Sequence, residues 1–325
     1  LNFAIVGCGL VGQKRARALG EHRLAACADV APEAAKRLAE THPGCDPAAD
    51  PADAIRRPDV DAVLVCTPHH ALAELALAAV EAGKHVLLEK PGARRAEELR
   101  PLLAAAQRQS RVVQVGFNHR FHPALRKAHD LFTEGAVGEL MHIRARYGHG
   151  GRPGYEKEWR ADKELAGGGE LLDQGSHLID LARWFAGDFA DVQGRLSTSF
   201  WDMPVEDNAF MSLRARSGAA AWLHASWTEW KNLFSFEVFG RTGKLQVDGL
   251  GGSYGPEQLT FYRMLPQMGP PQTSVFNFPG EDHSWEAEIE DFARRIASGT
   301  GSGATLNDAV AVLEVIGQLY QEAGA

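Results

Sequence analysis

Cysteine is scarce, 4 in 325 residues, and Cys8, Cys27, Cys45 and Cys66 include no C-x-x-C pair. That excludes a zinc ribbon or a disulfide framework. Three of the four lie in or beside apolar strand-like runs, where reduced core thiols of a cytoplasmic protein are expected, and no metal site is expected anywhere. Long hydrophobic runs are missing too, since stretches such as Ala62 to Cys66 fall far short of the roughly 20 residues of a membrane span. Folded sequence starts at once with Asn2 to Val6, with no basic segment before it, so no export signal is expected. Positive charge is also in deficit, 34 Lys and Arg against 42 Asp and Glu for a net −8, and no basic run is interleaved with aromatics. Nucleic acid is therefore not an expected partner. What remains is the composition of an ordinary globular chain, 45% hydrophobic and 23% charged. At roughly 150 residues per domain its length accommodates about two domains.

Short apolar runs alternate with helical stretches through the first 120 residues. The runs are Phe3 to Val6, Leu24 to Ala28, Ala62 to Cys66, His85 to Leu88 and Val112 to Val115. Val11 to Leu19, Pro32 to Thr41, Leu72 to Ala82 and Ala96 to Gln109 read as the helices between them. Continuously apolar strands separated by helices mean a parallel sheet covered on both faces, a doubly wound α/β domain. After about Phe121 the texture changes to alternating strands: Leu140 to Tyr147, Asp207 to Ala215, Ala219 to Trp230, Phe234 to Gly240 and Lys244 to Val247. A helix over Gly169 to Phe185 interrupts them, and helices over Ser284 to Ala297 and Asn307 to Ala323 close the chain. The fold class is α/β, with domain 1–120 doubly wound and domain 121–325 α+β on a large, mostly antiparallel open sheet. The final helices are free to pack back on the first domain. Leu265 to Glu281, with four prolines, reads as a long surface loop.

Gly7-Cys8-Gly9-Leu10-Val11-Gly12 fits G-x-G-x-x-G. With 34 glycines in the chain the pattern alone is weak, and its place between the first strand and a helix decides. There the first glycine permits the tight turn, the second lets backbone N–H groups reach a pyrophosphate, and the third allows close helix packing. Asp29 ends the second strand 22 residues after Gly7, near the spacing expected of a carboxylate that holds an adenosine ribose. It repels a 2′-phosphate, and Val30-Ala31-Pro32 supplies no arginine to attract one, which favours NAD over NADP. Asp29 also suits an N-cap for the helix that follows.

Thr67-Pro68-His69-His70 and Glu89-Lys90-Pro91 end two more strands at the carboxyl edge, where ligands bind in open α/β sheets. A lysine there could stabilise a developing alkoxide or a carbonyl oxygen. Either turn could equally carry its proline for steric reasons. Asp173 and His177 stand four apart on a helix and share a face; a carboxylate beside an imidazole orients a base that takes a proton from a hydroxyl. Gly175 between them is costly in mid-helix, which suggests close approach of a neighbour.

Gly7 to Gly12, Thr67-Pro68, Glu89-Lys90-Pro91, Asn118-His119-Arg120-Phe121 and Asp173-x-Gly175-x-His177 occur in the order found in the glucose-fructose oxidoreductase / inositol dehydrogenase / MocA family, which the whole chain resembles. The resemblance implies a Rossmann domain, a second domain whose open sheet forms a homodimer or homotetramer interface, and an active site in the cleft between the domains. It implies that Lys90 contacts the reacting oxygen, that His177 is the general acid/base and that Asp173 is its partner. It further implies a cis Lys90-Pro91 bond and cofactor contacts from Gly7, Gly9, Leu10, Val11, Gly12, Asp29, Thr67, Pro68, His70, Glu89, Lys90 and Asn118. Substrate contacts would come from Lys90, Arg120, Asp173 and His177, joined by Arg152, Tyr155, Trp159 and Arg160 of the charged segment 147–163. Those cations could engage an anionic group and the aromatic rings could stack on a sugar, although the segment's own carboxylates could also neutralise them. The implied activity is NAD-dependent hydride transfer on a secondary hydroxyl or ketone of a sugar, sugar acid, nucleotide sugar or polyol. NAD-assisted elimination or glycoside cleavage without net redox is an alternative. A non-catalytic dinucleotide sensor is a second, which the presence of Lys90, Asp173 and His177 together argues against.

Overall fold

The computed structural model describes residues 1–324 and divides into two compact units, residues 1–118 with 285–310 and residues 119–284 with 311 onward. In the first, β1 (Asn2–Val6), α1 (Leu10–Arg17), β2 (Arg23–Ala28), α2 (Pro32–Glu40), β3 (Asp46–Ala48), α3 (Pro51–Ile55), β4 (Ala62–Val65), α4 (His69–Glu81), β5 (His85–Glu89), α5 (Ala96–Gln109) and β6 (Val113–Gly116) follow one another. The strands lie in the order β3-β2-β1-β4-β5-β6, all parallel, the doubly wound order in which the connections diverge between β1 and β4. Their buried faces run Phe3 to Val6 and Ala62 to Val65 without a polar residue, as a sheet covered on both sides requires.

The second unit contains α6 (Pro123–Thr133), β7 (Leu140–Gly148), α7 (Lys163–Ala166), α8 (Ser176–Ala186), β8 (Phe189–Ser197), β9 (Asn208–Ala215), β10 (Ala220–Ser226), β11 (Leu233–Gly240), β12 (Gly243–Asp248), β13 (Glu257–Arg263) and β14 (Gln272–Phe278). These eight strands form one sheet in the order β14-β13-β12-β11-β7-β10-β9-β8, antiparallel except where β10 lies parallel to β7. Along β7 the residues alternate, Ile143, Ala145 and Tyr147 buried while Met141, Arg144 and Arg146 are exposed. Helices α6 and α8 pack on the covered face.

Leu265 to Glu281 is not the loop expected from its prolines. Residues 272–278 form β14, an edge strand paired to β13 from Glu257↔Phe278 to Arg263↔Gln272. Pro270, Pro271 and Pro279 flank the strand and remove no ladder donor from it, which is where an edge tolerates proline. Strands β8 and β13 also escaped the sequence reading, since β8 is largely half-exposed and shows little alternation.

The chain closes with α9 (Ser284–Ser298), β15 (Ala304–Thr305) and α10 (Leu306–Ala323). From α9, Ile289 and Phe292 enter the first unit's core beside Phe3, Leu38 and Leu64. β15 adds a short antiparallel edge to β6. None of the described helices is long and apolar enough to cross a membrane.

Candidate active site

The carboxyl ends of β1, β2, β4 and β5 carry the first unit's functional groups. After β1 the chain turns at Gly7, whose φ of 94° suits glycine and whose Cβ would stand 2.5 Å from the Cys66 carbonyl oxygen. A Cβ at Gly12 would come within 2.0 Å of the Gly7 carbonyl oxygen, so α1 can start this close to the turn only without a side chain there. A Cβ at Gly9 would meet nothing within 4 Å, which leaves the turn open on its outer side. Asp29 accepts from the Cys8 N–H at 2.7 Å and the Ala31 N–H at 2.8 Å, so its carboxylate braces the turn from the end of β2. It does not cap α2, whose N-cap position is Ala31. Beside it, Leu10 and Val30 expose apolar side chains, 70% and 92% accessible. An open N–H turn, a braced carboxylate and uncovered apolar side chains fit the pyrophosphate, ribose and adenine of a dinucleotide.

Thr67 and Pro68 follow β4, with His69 buried and His70 exposed at the start of α4. Lys90 follows β5 and joins Pro91 through a cis bond. Glu89, expected among the cofactor contacts, turns its carboxylate instead to Arg15, which donates from Nε at 2.7 Å and from its other arm to Glu288 of α9 at 2.6 Å. Burial dictates this: a guanidinium with no solvent access needs anionic partners, and the Trp285 ring covers it 4.4 Å from Cζ. Burial also pushes the Glu288 carboxyl up to about 7, against the opposing pull of Arg15. Sequence reasoning missed Arg15, although a basic residue three positions after Gly12 on a buried helix was the available signal.

In the second unit the expected helix over Gly169 to Phe185 begins with a π-helical turn, Leu171–Gly175, before α8. Such turns are common at functional sites. Asp173 lies in it, and Arg160 donates from Nε to Asp173 Oδ2 at 3.1 Å. A Cβ at Gly175 would stand 3.2 Å from Leu171 Cδ1 and at an ordinary 3.7 Å from the Cβ of Ala225 on β10, so its tight neighbour belongs to its own helical turn and not to the sheet. His177 is buried, and the ring of His119 stacks on it with centroids 3.7 Å apart. Tyr147 meets the His177 ring edgewise and the His119 ring at a tilt, and it packs on Tyr254, whose hydroxyl accepts from Gln174 Nε2 at 2.9 Å. Burial raises both phenols, Tyr254 to about 12, so they stay protonated donors at neutral pH. Burial lowers the nearby His149, against the opposing pull of Asp173.

The glycines before the π turn are fixed by Glu206, another residue the sequence did not reveal. Its carboxylate accepts from the N–H groups of Gly169 and Leu171 at 3.0 Å each and from the Tyr320 hydroxyl at 2.8 Å. A Cβ at Gly169 would fall 2.1 Å from the Glu206 carbonyl oxygen. Burial raises the Glu206 carboxyl, so the clasp forms where the charged state is disfavoured by its surroundings and sustained by three donors.

Three expected substrate contacts are placed otherwise. Arg120 is buried in a two-pronged pair with Asp180, at 2.8 and 2.6 Å. Tyr155 is buried against Trp227 and Trp201, with ring centroids at 5.1 and 5.7 Å, because the segment folds its aromatic side into a small core of its own. Arg152 is exposed and paired with Glu158 at 2.6 Å. Arg160 reaches Asp173 and lies over the Trp159 ring at 4.6 Å. Asn118 is buried at the head of the 3-10 turn Asn118–Phe121. Among the described residues no cluster of His, Cys, Asp and Glu could hold a metal ion, and the four cysteines are free thiols.

Comparison with known proteins adds to this geometry. Residues 1–117 match the oxidoreductase family with an NAD-binding Rossmann fold, and residues 125–246 match the GFO/IDH/MocA C-terminal domain. The chain is 33% identical to a levoglucosan dehydrogenase of Pseudarthrobacter phenanthrenivorans over 63% of this chain, an alignment spanning 56% of that relative. It is 31% identical to the D-glucoside 3-dehydrogenase of Escherichia coli over 70% of each chain. A solved levoglucosan dehydrogenase in complex with NADH superposes with a TM-score of 0.90 at 26% identity, covering 100% of this chain and 97% of that one. The chain therefore belongs to the GFO/IDH/MocA oxidoreductase family, and its first unit is that family's NAD-binding Rossmann fold.

Proposed function

We propose that this protein is an NAD-dependent dehydrogenase that oxidises a secondary hydroxyl of a neutral sugar or polyol, or reduces the corresponding ketone. The observation that carries the reading is the placing of the open glycine turn, Asp29 and Lys90 at the carboxyl ends of β1, β2 and β5, on one edge of a single parallel sheet. Bound NAD would supply the hydride acceptor or donor. The N–H groups of the Gly7 to Gly12 turn would hold its pyrophosphate, and Asp29 its ribose, where the carboxylate disfavours a 2′-phosphate. Thr67, Pro68, His70 and Asn118 are candidates for the remaining contacts.

Lys90 donates to the reacting oxygen and stabilises negative charge on it, and His177 takes the hydroxyl proton or returns it. Asp173 orients the imidazole and contacts substrate. Arg152 and Arg160 are already matched by Glu158 and Asp173, which favours a neutral substrate over an anionic one. The names of the levoglucosan and D-glucoside dehydrogenases among its relatives support that choice. The uncovered sheet face, with Phe210 and Trp222 exposed around a shallow cavity of about 460 Å³, is the surface through which we infer a homodimer or homotetramer.

The test is a panel of levoglucosan, a methyl D-glucoside and myo-inositol, each with NAD, followed by nicotinamide absorbance. Net NADH formation on a panel sugar is expected. Sugar conversion with no net NADH would replace the proposal by redox-neutral elimination or cleavage. Tight NAD binding with no conversion of any sugar would favour a sensor.

A further inference from the structure

The ring of a histidine turns about a soft terminal torsion, so its own helix does not fix the plane of the imidazole. In this protein a second imidazole covers the first. The rings of His119 and His177 lie 3.7 Å apart, centroid to centroid, and within 19° of parallel. His119 is 5% exposed and His177 6%. His119 is hemmed in on its other sides: Tyr147 at 5.2 Å, Phe234 at 6.0 Å and His122 at 5.5 Å all meet it at steep angles. His122 in turn bonds Glu257 at 3.0 Å, and Glu257 also accepts from the Ala124 N–H at 2.8 Å. A chain of contacts thus runs from the start of α6 and from β13 to one face of His177.

We propose that His119 is the positioning residue for His177, a flat and immobile backstop that sets the ring plane of the general acid/base. This rests on the reading of His177 given above. Rotation of His177 about its last torsion would drive its edge into the His119 ring, so the stack admits only a narrow range of orientations. A catalytic group must be held within roughly 0.5 Å and 10–20° of its working geometry. Looseness there costs turnover and leaves ground-state binding intact. The stack also covers one face of the imidazole and leaves its edge, where the nitrogens exchange protons, outside the stack.

His119→Leu and His119→Phe test this in the full chain, because both fill the site and only one keeps a flat face. The panel sugar turned over fastest by the wild type is the probe, with NAD affinity followed by fluorescence. For His119→Leu, kcat is expected to fall about 10- to 100-fold, the range that misplacement of about 1 Å produces. The sugar KM and the NAD affinity should hardly move, and His119→Phe should recover most of the lost kcat. Wild-type kcat in His119→Leu would overturn the proposal, as would a loss in His119→Phe equal to that in His119→Leu. His177→Ala in the same series separates the two claims. Full activity in that variant removes the acid/base reading itself, whereas an inactive His177→Ala beside a fully active His119→Leu removes only the role of His119.

Discussion

The 2.0 Å that would separate a Cβ at position 12 from the Gly7 carbonyl oxygen leaves no room for a methyl group, and the oxygen belongs to backbone that cannot swing aside. Gly12→Ala should therefore open the turn and weaken NAD binding at least about tenfold, or roughly 1.4 kcal/mol, as titration of NADH fluorescence would reveal; unaltered affinity would show that the turn is not the cofactor site. Lys90 lies outside that turn, so Lys90→Ala should retain the affinity for NAD while kcat falls about 10²- to 10³-fold, the usual cost of removing a donor to developing negative charge. An unchanged rate on the best panel sugar would reject its assignment. The glycine turn, Asp29, Lys90, Asp173 and His177 could be singled out as candidates because each sits in a short motif at a strand end or on one helix face. Arg15, His119 and Glu206 were not, since each acts through a partner far away in sequence: Glu288, His177 and the Gly169 backbone. Tyr155 and Arg120 show the converse. Both have the chemistry of ligand contacts, and nothing local in the sequence reveals that one completes an aromatic core and the other a buried ion pair.

Elements α1, β5 and α9 are tied together by Arg15, and the tie has a pH dependence. Glu288 has its carboxyl raised from 4.5 to about 7 by burial. Between those values the folded chain holds a proton there that the unfolded chain has released, so this group's contribution to stability is full below about 4.5 and is lost as pH rises through about 7. The slope approaches about 1.4 kcal/mol per pH unit for one proton. Glu288→Gln removes the titration. The stability difference between wild type and variant, from denaturant midpoints, should therefore change across that interval, and a constant difference would contradict the account. At this scale β1, β2, β4, β5 and β6 were readable because burial on both faces leaves each mostly apolar, whereas the short, largely exposed parallel edge strand β3 was not. The edges were not: β14 is largely exposed and flanked by prolines, and it exists because β13 offers it a ladder.

For the molecule as a whole, composition excluded broad classes, and the resemblance carried by the Glu89-Lys90-Pro91 and Asp173-x-Gly175-x-His177 motifs supplied the family. Which strands pair in the second unit's sheet, including the parallel β7–β10 step, depends on long-range pairing that no local pattern encodes. Trp222 is 64% exposed on that sheet's open face. Trp222→Glu should convert the proposed oligomer to monomer in native mass spectrometry, since unpaired charge in an interface costs several kcal/mol; an oligomer of unchanged size would place the interface elsewhere. The central claim, hydride transfer from a sugar carbon to NAD, is tested most directly by isotope. The panel sugar oxidised fastest would be supplied with deuterium on its ring carbons, and the nicotinamide product examined by mass spectrometry. The account predicts NADH carrying one deuterium for each sugar oxidised. Sugar conversion that leaves no deuterium in the nicotinamide would contradict it.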